Sequence, residues 1–423
     1  MTVLPLRLRQ LLARRELSSL IWLVLEKVLQ LAFSAISVGL IARTLGVHAF
    51  GEFQYALALL FVFSAIGLMA GSETVAPQLA ASNDSANRKR LLGSVFVLRL
   101  LVGLLACISM VIWAVAAEPD SRQPLLFILA ASLLVAEPFN TLRLIREVGQ
   151  NTRVITVVRL VTSCLKLICI AVLYFLDASV TWFVLIYCVE YFSVAAWYVY
   201  TIRDDGTPWS WQPCRERMID LFGKGLVVWV GVLALILIQR LDRIVLESRL
   251  TAALYGQYTA AFGLLDSGWF FGPVAIAALA PSLVYRRQSL TGKASFLLVP
   301  VLIMLGLLLT ASIGLLAPFF IPLIYGAAFD PAIGIIRLGS LVLIPGFAAL
   351  SLDAILIRAG LHYAVTIKWL AGLGTAALLL LPDLPLSWRQ GPLAVGAAYT
   401  VSFVMGALLL YHSRVTSQKA AAL

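Results

Sequence analysis

The amino-acid sequence predicts an all-α integral membrane protein with about twelve transmembrane helices arranged as two six-helix bundles. The chain is 61% hydrophobic and only 13% charged, with a mean hydropathy of +0.96. A soluble globular chain is about 45–50% apolar and about 25% charged, so both departures indicate a membrane protein. Apolar stretches recur along the whole length, which excludes a soluble domain with a single anchor. A motif repeated in the two halves predicts the two bundles.

Twelve stretches are long and apolar enough to cross a hydrocarbon core of about 30 Å, which takes about 20 residues. The predicted spans are 18–43, 52–77, 91–116, 124–146, 154–176, 179–202, 221–247, 252–283, 294–317, 331–357, 361–381 and 391–412. The first is too long for the core of a cleaved signal peptide, so we expect it to be retained. Pro273 predicts a kink in the eighth span. The segment Pro318–Asp330 is predicted to form a re-entrant or extracytoplasmic turn.

Lysine and arginine in the short connections predict the orientation, because cytoplasmic loops are enriched in both. The N-terminus and the even-numbered connections carry 20 of them: Arg7, Arg9, Arg14, Arg15, Arg88, Lys89, Arg90, Arg143, Arg146, Arg153, Arg203, Arg215, Arg217, Lys224, Arg286, Arg287, Lys293, Arg358, Arg414 and Lys419. The opposite side carries 4: Arg43, Arg122, Arg249 and Arg389. We therefore expect both termini in the cytoplasm.

The two halves of the chain carry similar motifs. Residues 50–56 read FGEFQYA and residues 255–261 read YGQYTAA, and their glycines are 205 positions apart. Two copies near half-chain spacing indicate a parallel internal repeat. The predicted domains are an N-terminal six-helix bundle at 1–203, a cytoplasmic linker at 204–219 and a C-terminal six-helix bundle at 220–423. We expect a pseudo-two-fold axis along the membrane normal and a cavity between the bundles.

Charged residues inside the predicted spans are candidate functional residues, because burying them in hydrocarbon is costly unless they face a cavity or a partner. The buried cations are Lys27, Arg99, Arg159, Lys166, Arg240 and Arg243. The buried carboxylates are Glu26, Glu137, Glu190, Asp242, Asp266 and Asp353. Arg99 lies within about two turns of a span end, so snorkelling to the membrane surface is an alternative for it.

The fifth predicted span has one polar face. Its polar residues recur at intervals of three and four: Thr152, Thr156, Arg159, Ser163 and Lys166. Such spacing places them on one side of a helix. Two cations without an acid on that face need an anion, either a carboxylate such as Glu137 or Glu190 or a substrate phosphate. Snorkelling of the lysine is the third alternative.

The seventh span places Arg240, Arg243 and Glu247 on one face, with Asp242 pointing elsewhere. This arrangement fits an ion-paired helix end or a cavity wall. Asp266 and Asp353 are the stronger candidates for a titrating group, because a desolvated carboxyl group can exchange a proton near neutral pH. Pairing with a cation is the alternative for each.

Several functions are not indicated by the sequence. The charge of +11 belongs to membrane connections and does not predict a nucleic-acid partner. His48, His362 and His412 lie at span ends, and the five cysteines lack metal-site spacing, so no metal is expected. No GxxxxGK[ST] phosphate loop occurs, and no loop is long enough for a catalytic domain. We expect no enzyme activity and no cofactor, and any transport would use an ion gradient or the gradient of the cargo.

Several of these segments resemble a known family. The segments are ARTLG at 42–46, IGL at 66–68, RLDRI at 240–244, YGQYTAA at 255–261 and LAPSL at 279–283. They resemble the polysaccharide-biosynthesis, O-antigen-type flippases of the multidrug/oligosaccharidyl-lipid/polysaccharide exporter superfamily. The most specific part runs from Asp242 to Pro281.

The resemblance implies transfer of undecaprenyl-diphosphate-linked oligosaccharide from the cytoplasmic to the outer leaflet of a bacterial inner membrane by alternating access with ion coupling. It makes the buried cations candidate diphosphate ligands and the buried carboxylates candidate ion-coupling groups. It also implies membrane lipid, a glycan polymerase and a chain-length protein as partners. The related lipid II flippases carry two further C-terminal spans, so a peptidoglycan precursor is a less suitable cargo.

Two other functions remain open. An ion-coupled exporter of small molecules would have a cavity with mainly acidic and aromatic walls. A non-transporting scaffold for glycan-assembly enzymes would have buried charges that all pair with one another and no continuous cavity between the halves.

Overall fold

The computed structural model describes residues 6–69, 71, 75–76, 78–79, 84–148, 152–201, 210–280, 283–284, 296–382 and 387–422. Side chains are described from Leu29 onwards, except at positions 147, 152–153, 224, 414 and 417–422.

Thirteen α-helices make up most of the described chain. They are α1 Leu6–Gly67, α2 Ser85–Ala117, α3 Gln123–Val148, α4 Thr152–Phe175, α5 Val180–Thr201, α6 Arg215–Glu247, α7 Ala252–Trp269, α8 Phe271–Ala280, α9 Leu298–Tyr325, α10 Ala332–Gly339, α11 Leu343–Arg358, α12 His362–Leu380 and α13 Gln390–Ala422. Asp84 caps α2 by accepting hydrogen bonds from the backbone of Ala86 and Asn87, as expected for an N-cap aspartate.

The first lobe consists of α1 to α5 and contains six spans, because α1 has two arms. Gly46 interrupts the helical backbone with φ 68° and ψ 176°. Only glycine adopts such a positive φ without steric cost. Within the described residues, eleven segments are long and apolar enough to span a membrane when Leu29–Gly67 is counted once. Its two arms bring the number to twelve and confirm the predicted fold class.

The second lobe consists of α6 to α13, and two of its six spans are interrupted. The first break, at Phe270 between α7 and α8, lies next to Pro273. Proline cannot donate the backbone hydrogen bond that would continue the helix, so the predicted kink is present. A 3₁₀ turn at Ser340–Val342 separates α10 from α11.

One prediction in this lobe was wrong. The helix α9 continues through Pro318 and Pro322 and ends only at Gly326, where φ is 98°. Most of the predicted turn at Pro318–Asp330 is therefore helical. Proline is tolerated in a membrane helix because neighbouring groups satisfy the freed carbonyls, so its presence did not mark a helix end.

The predicted domain boundaries remain a prediction. Within the predicted linker 204–219, residues 204–209 lie outside the described residues, and α6 already begins at Arg215. Just before that helix, the Cys214 backbone accepts from and donates to the Ser94 hydroxyl of α2. The segment between the two halves therefore packs against the first lobe.

The two lobes meet along α1, α6, α7 and α9, and one buried apolar core runs through both of them. One face of α7 and α8 shows where the lobes part. Tyr255, Thr259 and Phe262 are buried there, whereas Pro273 and Ala277 further along are exposed. Asp266 lies between these two groups. The lobes therefore contact each other at the end with the α6–α7 connection, which is the closed end. The corresponding face of α8 is exposed further along, although Trp229 of α6 still donates hydrogen bonds to the Ala65 and Ile66 carbonyl oxygens of α1 towards that other end.

Candidate functional site

A polar cavity of about 200 Å³ lies within the first lobe between α3, α4 and α5. Its lining residues are Val135, Ala136, Glu137, Phe139, Asn140, Arg159, Glu190, Tyr191, Val194, Ala195 and Tyr198. The polar face predicted for the fifth span supplies Arg159 to this cavity. Three sequence-predicted site residues therefore share one cavity: Arg159, Glu137 and Glu190.

Glu137 is held among cations and an amide. The Asn140 side chain hydrogen-bonds to its carboxylate, and Arg99 and Arg159 are near enough to interact with it electrostatically. Arg99 also lies 3.5 Å from both the Glu137 carbonyl oxygen and the Thr141 hydroxyl. It is 4% exposed, so the snorkelling alternative for Arg99 is wrong.

Lys166 makes an ion pair with Glu190, with 2.9 Å between Nζ and Oε2. Its ammonium group also lies 4.6 Å from the centre of the Tyr187 ring, within the range of a cation–π contact. Of the alternatives given above for Lys166, the structure therefore shows pairing with a carboxylate. The Arg159 side chain on the same helix face makes no ion pair or hydrogen bond with the described part of the chain and is attracted to Glu137 only at longer range. It is therefore the cation of this stripe that has no direct partner among the described residues.

A second cluster lies between α6 and α7 in the other lobe. Arg243 binds Asp266 through two contacts of 2.8 Å, and Arg240 contacts the same carboxylate at 2.5 Å. Asp242 points the other way, as predicted, and accepts a hydrogen bond from the Tyr258 hydroxyl. The Arg240 guanidinium also lies over the ring of Phe61 in the first lobe. This cluster therefore lies at the boundary of the lobes.

A third cluster lies inside the second lobe and includes a residue that the sequence analysis missed. Lys368 has no exposed surface and contacts Asp353 at 2.7 Å and the Ala349 carbonyl oxygen at 2.6 Å. The Trp369 indole donates to the other oxygen of Asp353 at 3.3 Å. Lys368 lies inside the eleventh predicted span, and that position was the signal that could have identified it.

The three clusters differ in their charge balance. Among the described side chains named above, the first lobe has three cations, Arg99, Arg159 and Lys166, for two carboxylates. The second lobe has three cations for three carboxylates, with each carboxylate held by a cation or by a tyrosine hydroxyl. Glu26 and Lys27 of the first span lie outside the described side chains, as does Thr152 of the polar stripe. The available positive charge is therefore in the first lobe.

The fold is similar to that of several solved transporters. An inward-facing multidrug resistance MATE family transporter of the MOP superfamily aligns with a TM-score of 0.68 and 15% identity over 94% of this chain and 96% of that chain. Its outward-facing conformation aligns with a TM-score of 0.63 and 15% identity over 94% and 95%. A MOP superfamily transporter from Pyrococcus furiosus, described as having a binding pocket of reversed polarity, gives 0.62 and 15% over 95% and 96%.

Fold and site together define a multi-pass membrane protein with the two-lobed architecture of MOP superfamily transporters. A family model described as polysaccharide biosynthesis protein matches residues 17–284, which is well over half of the chain. The chain belongs to this family. No curated protein matches the chain at a significant level.

Proposed function

We propose that this protein moves a lipid-linked saccharide with a phosphate-containing head group across the bacterial inner membrane by alternating access. Membership of the polysaccharide biosynthesis family and the two-lobed transporter fold support a transport role in glycan assembly. The cargo that best fits the site is undecaprenyl-diphosphate-linked oligosaccharide. Its head enters the cavity while its lipid tail stays in the bilayer.

The observation that carries this proposal is the environment of the Arg159 side chain. Its side chain lines a polar cavity inside the membrane span and has no carboxylate within ion-pair distance among the described residues. A cation without a direct ion pair inside a bilayer is costly and by default indicates a functional contact, and the longer-range attraction of Glu137 does not provide a direct pair. Guanidinium forms two parallel hydrogen bonds with a phosphate group, so a cargo phosphate would supply the missing anion.

The state of the lobes agrees with loading from the cytoplasm. The positive-inside rule assigns the closed end, near Arg122 and Arg249, to the extracytoplasmic face. The exposed face of α8 then lies towards the cytoplasm, where lipid-linked saccharides would be collected. The cavity of Arg159, near the start of α4, is on the same side, as a cytoplasmic cargo requires.

Ion coupling is part of the proposal, and the exposure of the carboxylates supports one of them over the others. Asp266 keeps 36% of its side chain exposed although two arginines bind it, the largest exposure among the candidate carboxylates of the second lobe. Asp353 keeps 20%. Glu137 and Glu190 line the cargo cavity, and Asp242 is fully buried. We therefore place the coupling group at Asp266 first.

One observation favours the alternative of small-molecule export. The cavity wall also holds Glu137 and Glu190, together with the aromatic residues Phe139, Tyr191 and Tyr198. Acidic and aromatic walls suit an organic cation. However, Glu190 is neutralised by Lys166, and Glu137 interacts with Arg99 and Arg159, so the net charge favours an anion.

The test is leaflet exchange in liposomes that carry the purified protein and a fluorescent undecaprenyl-diphosphate oligosaccharide, with an imposed proton gradient. We expect the wild type to accelerate the loss of label to a membrane-impermeant quencher. We expect Arg159→Gln to slow the exchange about tenfold, which corresponds to ~1.4 kcal/mol. Arg159→Lys should retain part of the rate. Lys166→Ala is a weaker probe, because it strands the carboxylate of Glu190.

Arg337→Gln serves as the matched control, since Arg337 is an exposed arginine of a membrane helix whose side chain, among the described residues, donates to the Gly314 carbonyl oxygen and makes no ion pair. Equal rates for the wild type and Arg159→Gln would remove Arg159 from the transport path. Absence of exchange in folded protein, combined with export of an organic cation that Glu137→Gln abolishes, would establish the alternative function.

A further inference from the structure

Among the described residues, one ion pair joins the lobes at the closed end of the molecule. Arg122, in the connection between α2 and α3, lies 2.6 Å from Glu247 at the end of α6. Arg122 belongs to the first lobe and Glu247 to the second. Their side chains are 23% and 19% exposed, so the pair is half-buried and in contact with solvent.

Arg122 also has carboxylates within its own lobe. Glu118 lies 3.6 Å away and Glu52 lies 3.8 Å away. Burial acts to lower the pKa of Arg122, but Glu247, Glu52 and Glu118 outweigh it and the pKa is raised. The guanidinium therefore stays charged, and it keeps two anionic neighbours when Glu247 moves away. Breaking the pair consequently leaves no stranded cation, which keeps the energetic cost of opening moderate.

The other contacts at this end are of a different kind. Phe50 packs edge-to-face on Tyr325 and Phe329, and Arg43 donates to the Leu323 carbonyl oxygen. These contacts join the two lobes, but none of them pairs a charged side chain of one lobe with a charged side chain of the other. Arg249, the other cation of the cavity beside Glu247, is bound to the Leu380, Leu381 and Pro382 carbonyl oxygens of its own lobe.

We propose that the Arg122–Glu247 pair is a releasable latch that biases the protein towards the state closed at this end. A cavity of about 380 Å³ lined by both residues gives water access to the pair. Opening exchanges the Glu247 contact for water on the carboxylate, while the arginine keeps the Glu52 and Glu118 contacts that it already has. This function is independent of the cargo, so it goes beyond the proposed transport of a saccharide.

The test measures the separation of the lobes without any cargo. Spin labels are placed at Ser121→Cys and Ala253→Cys, two exposed positions on opposite lobes at the closed end, in a chain whose five native cysteines are replaced. Glu247→Gln should raise the ratio of separated to closed lobes about tenfold. Adding Arg122→Gln to that variant should give no further increase, because the pair is already broken.

Glu52→Gln is the matched control, because Glu52 contacts the same arginine from within its own lobe. We expect its distance distribution to equal that of the wild type. A second measurement detects an open state that is too rarely populated to appear in the distance distribution. In the cysteine-replaced chain without spin labels, Thr259→Cys, which is 1% exposed, should react with a maleimide in proportion to the open fraction. Its rate should also rise about tenfold in Glu247→Gln.

Two results would overturn the latch. One is an unchanged distance distribution together with an unchanged reaction rate in Glu247→Gln that stays monodisperse. The other is equal opening by Glu52→Gln and Glu247→Gln, which would indicate general loosening of the first lobe. Either result would leave the transport proposal intact, since no cargo takes part in these measurements.

Discussion

Lys368 shows what a buried charge requires in the second lobe. The residue has no exposed surface, and its ammonium group contacts Asp353, a backbone carbonyl and the ring of Trp369 at 3.9 Å. Each of these contacts offsets part of the cost of desolvating the ammonium group. The pair therefore has a structural role, whereas Arg159 has no such set of partners.

We expect Lys368→Met to destabilise the protein by about 3 kcal/mol, because it leaves Asp353 without its cation. The measurement is the unfolding midpoint of the purified protein in detergent. The double variant Lys368→Met with Asp353→Asn should recover most of the loss, since no charge remains unpaired. A double variant as unstable as the single one would show that lost packing, and not charge, causes the effect.

The glycine of the repeated motif is required where two helices approach each other closely. A Cβ atom built on Gly51 would lie 3.2 Å from the Tyr255 ring and 3.3 Å from the Gly256 Cα. A Cβ on Gly256 would come within 2.9 Å of the Val47 carbonyl carbon. The two repeats, first seen as a sequence pattern, therefore face each other where α1 and α7 cross at the closed end.

Substitution of Gly256 tests this close approach. We expect Gly256→Ala to push α7 away from α1 and to lengthen the distance between spin labels at positions 121 and 253. Gly263→Ala on the same helix is the control, because its nearest neighbours would lie 3.7 Å and 3.8 Å away, which is ordinary contact. Equal distances in the two variants would contradict a requirement for glycine at position 256.

Sequence alone predicted the helices better than the contacts between them. Apolar runs located all twelve spans because a span's length is set by the membrane. The same runs could not show that α9 passes through Pro318, since its tolerance there depends on neighbouring helices. Likewise, the spacing on α4 placed Arg159 and Lys166 on one face. Which of them finds a carboxylate depends on where α5 places Glu190, and this is a property of the tertiary fold.

The whole molecule combines a contact between the lobes at the closed end with an unequal distribution of charge between the lobes. Among the described residues, the buried carboxylates of the second lobe are each held by a cation or by a tyrosine hydroxyl. The first lobe carries Arg159 in its cavity and Arg122 at the closed end. The proposed cargo site and the arginine of the proposed latch thus lie in the same lobe, towards opposite ends of its helices, and the latch carboxylate Glu247 lies in the other lobe. This arrangement would let cargo binding and lobe separation be altered independently.

The orientation of the molecule in the membrane is the last prediction. All four basic residues predicted on the extracytoplasmic side are described. Three of them, Arg43, Arg122 and Arg249, contact residues at or near helix ends at the closed end of the molecule. In intact cells a membrane-impermeant maleimide should therefore label Ser121→Cys near the closed end and leave Ser210→Cys before α6 unlabelled, in chains without native cysteines. Both serines are exposed, so accessibility alone cannot produce the difference. Labelling of Ser210→Cys with Ser121→Cys protected would reverse the orientation, and the state shown here would then be open to the outside.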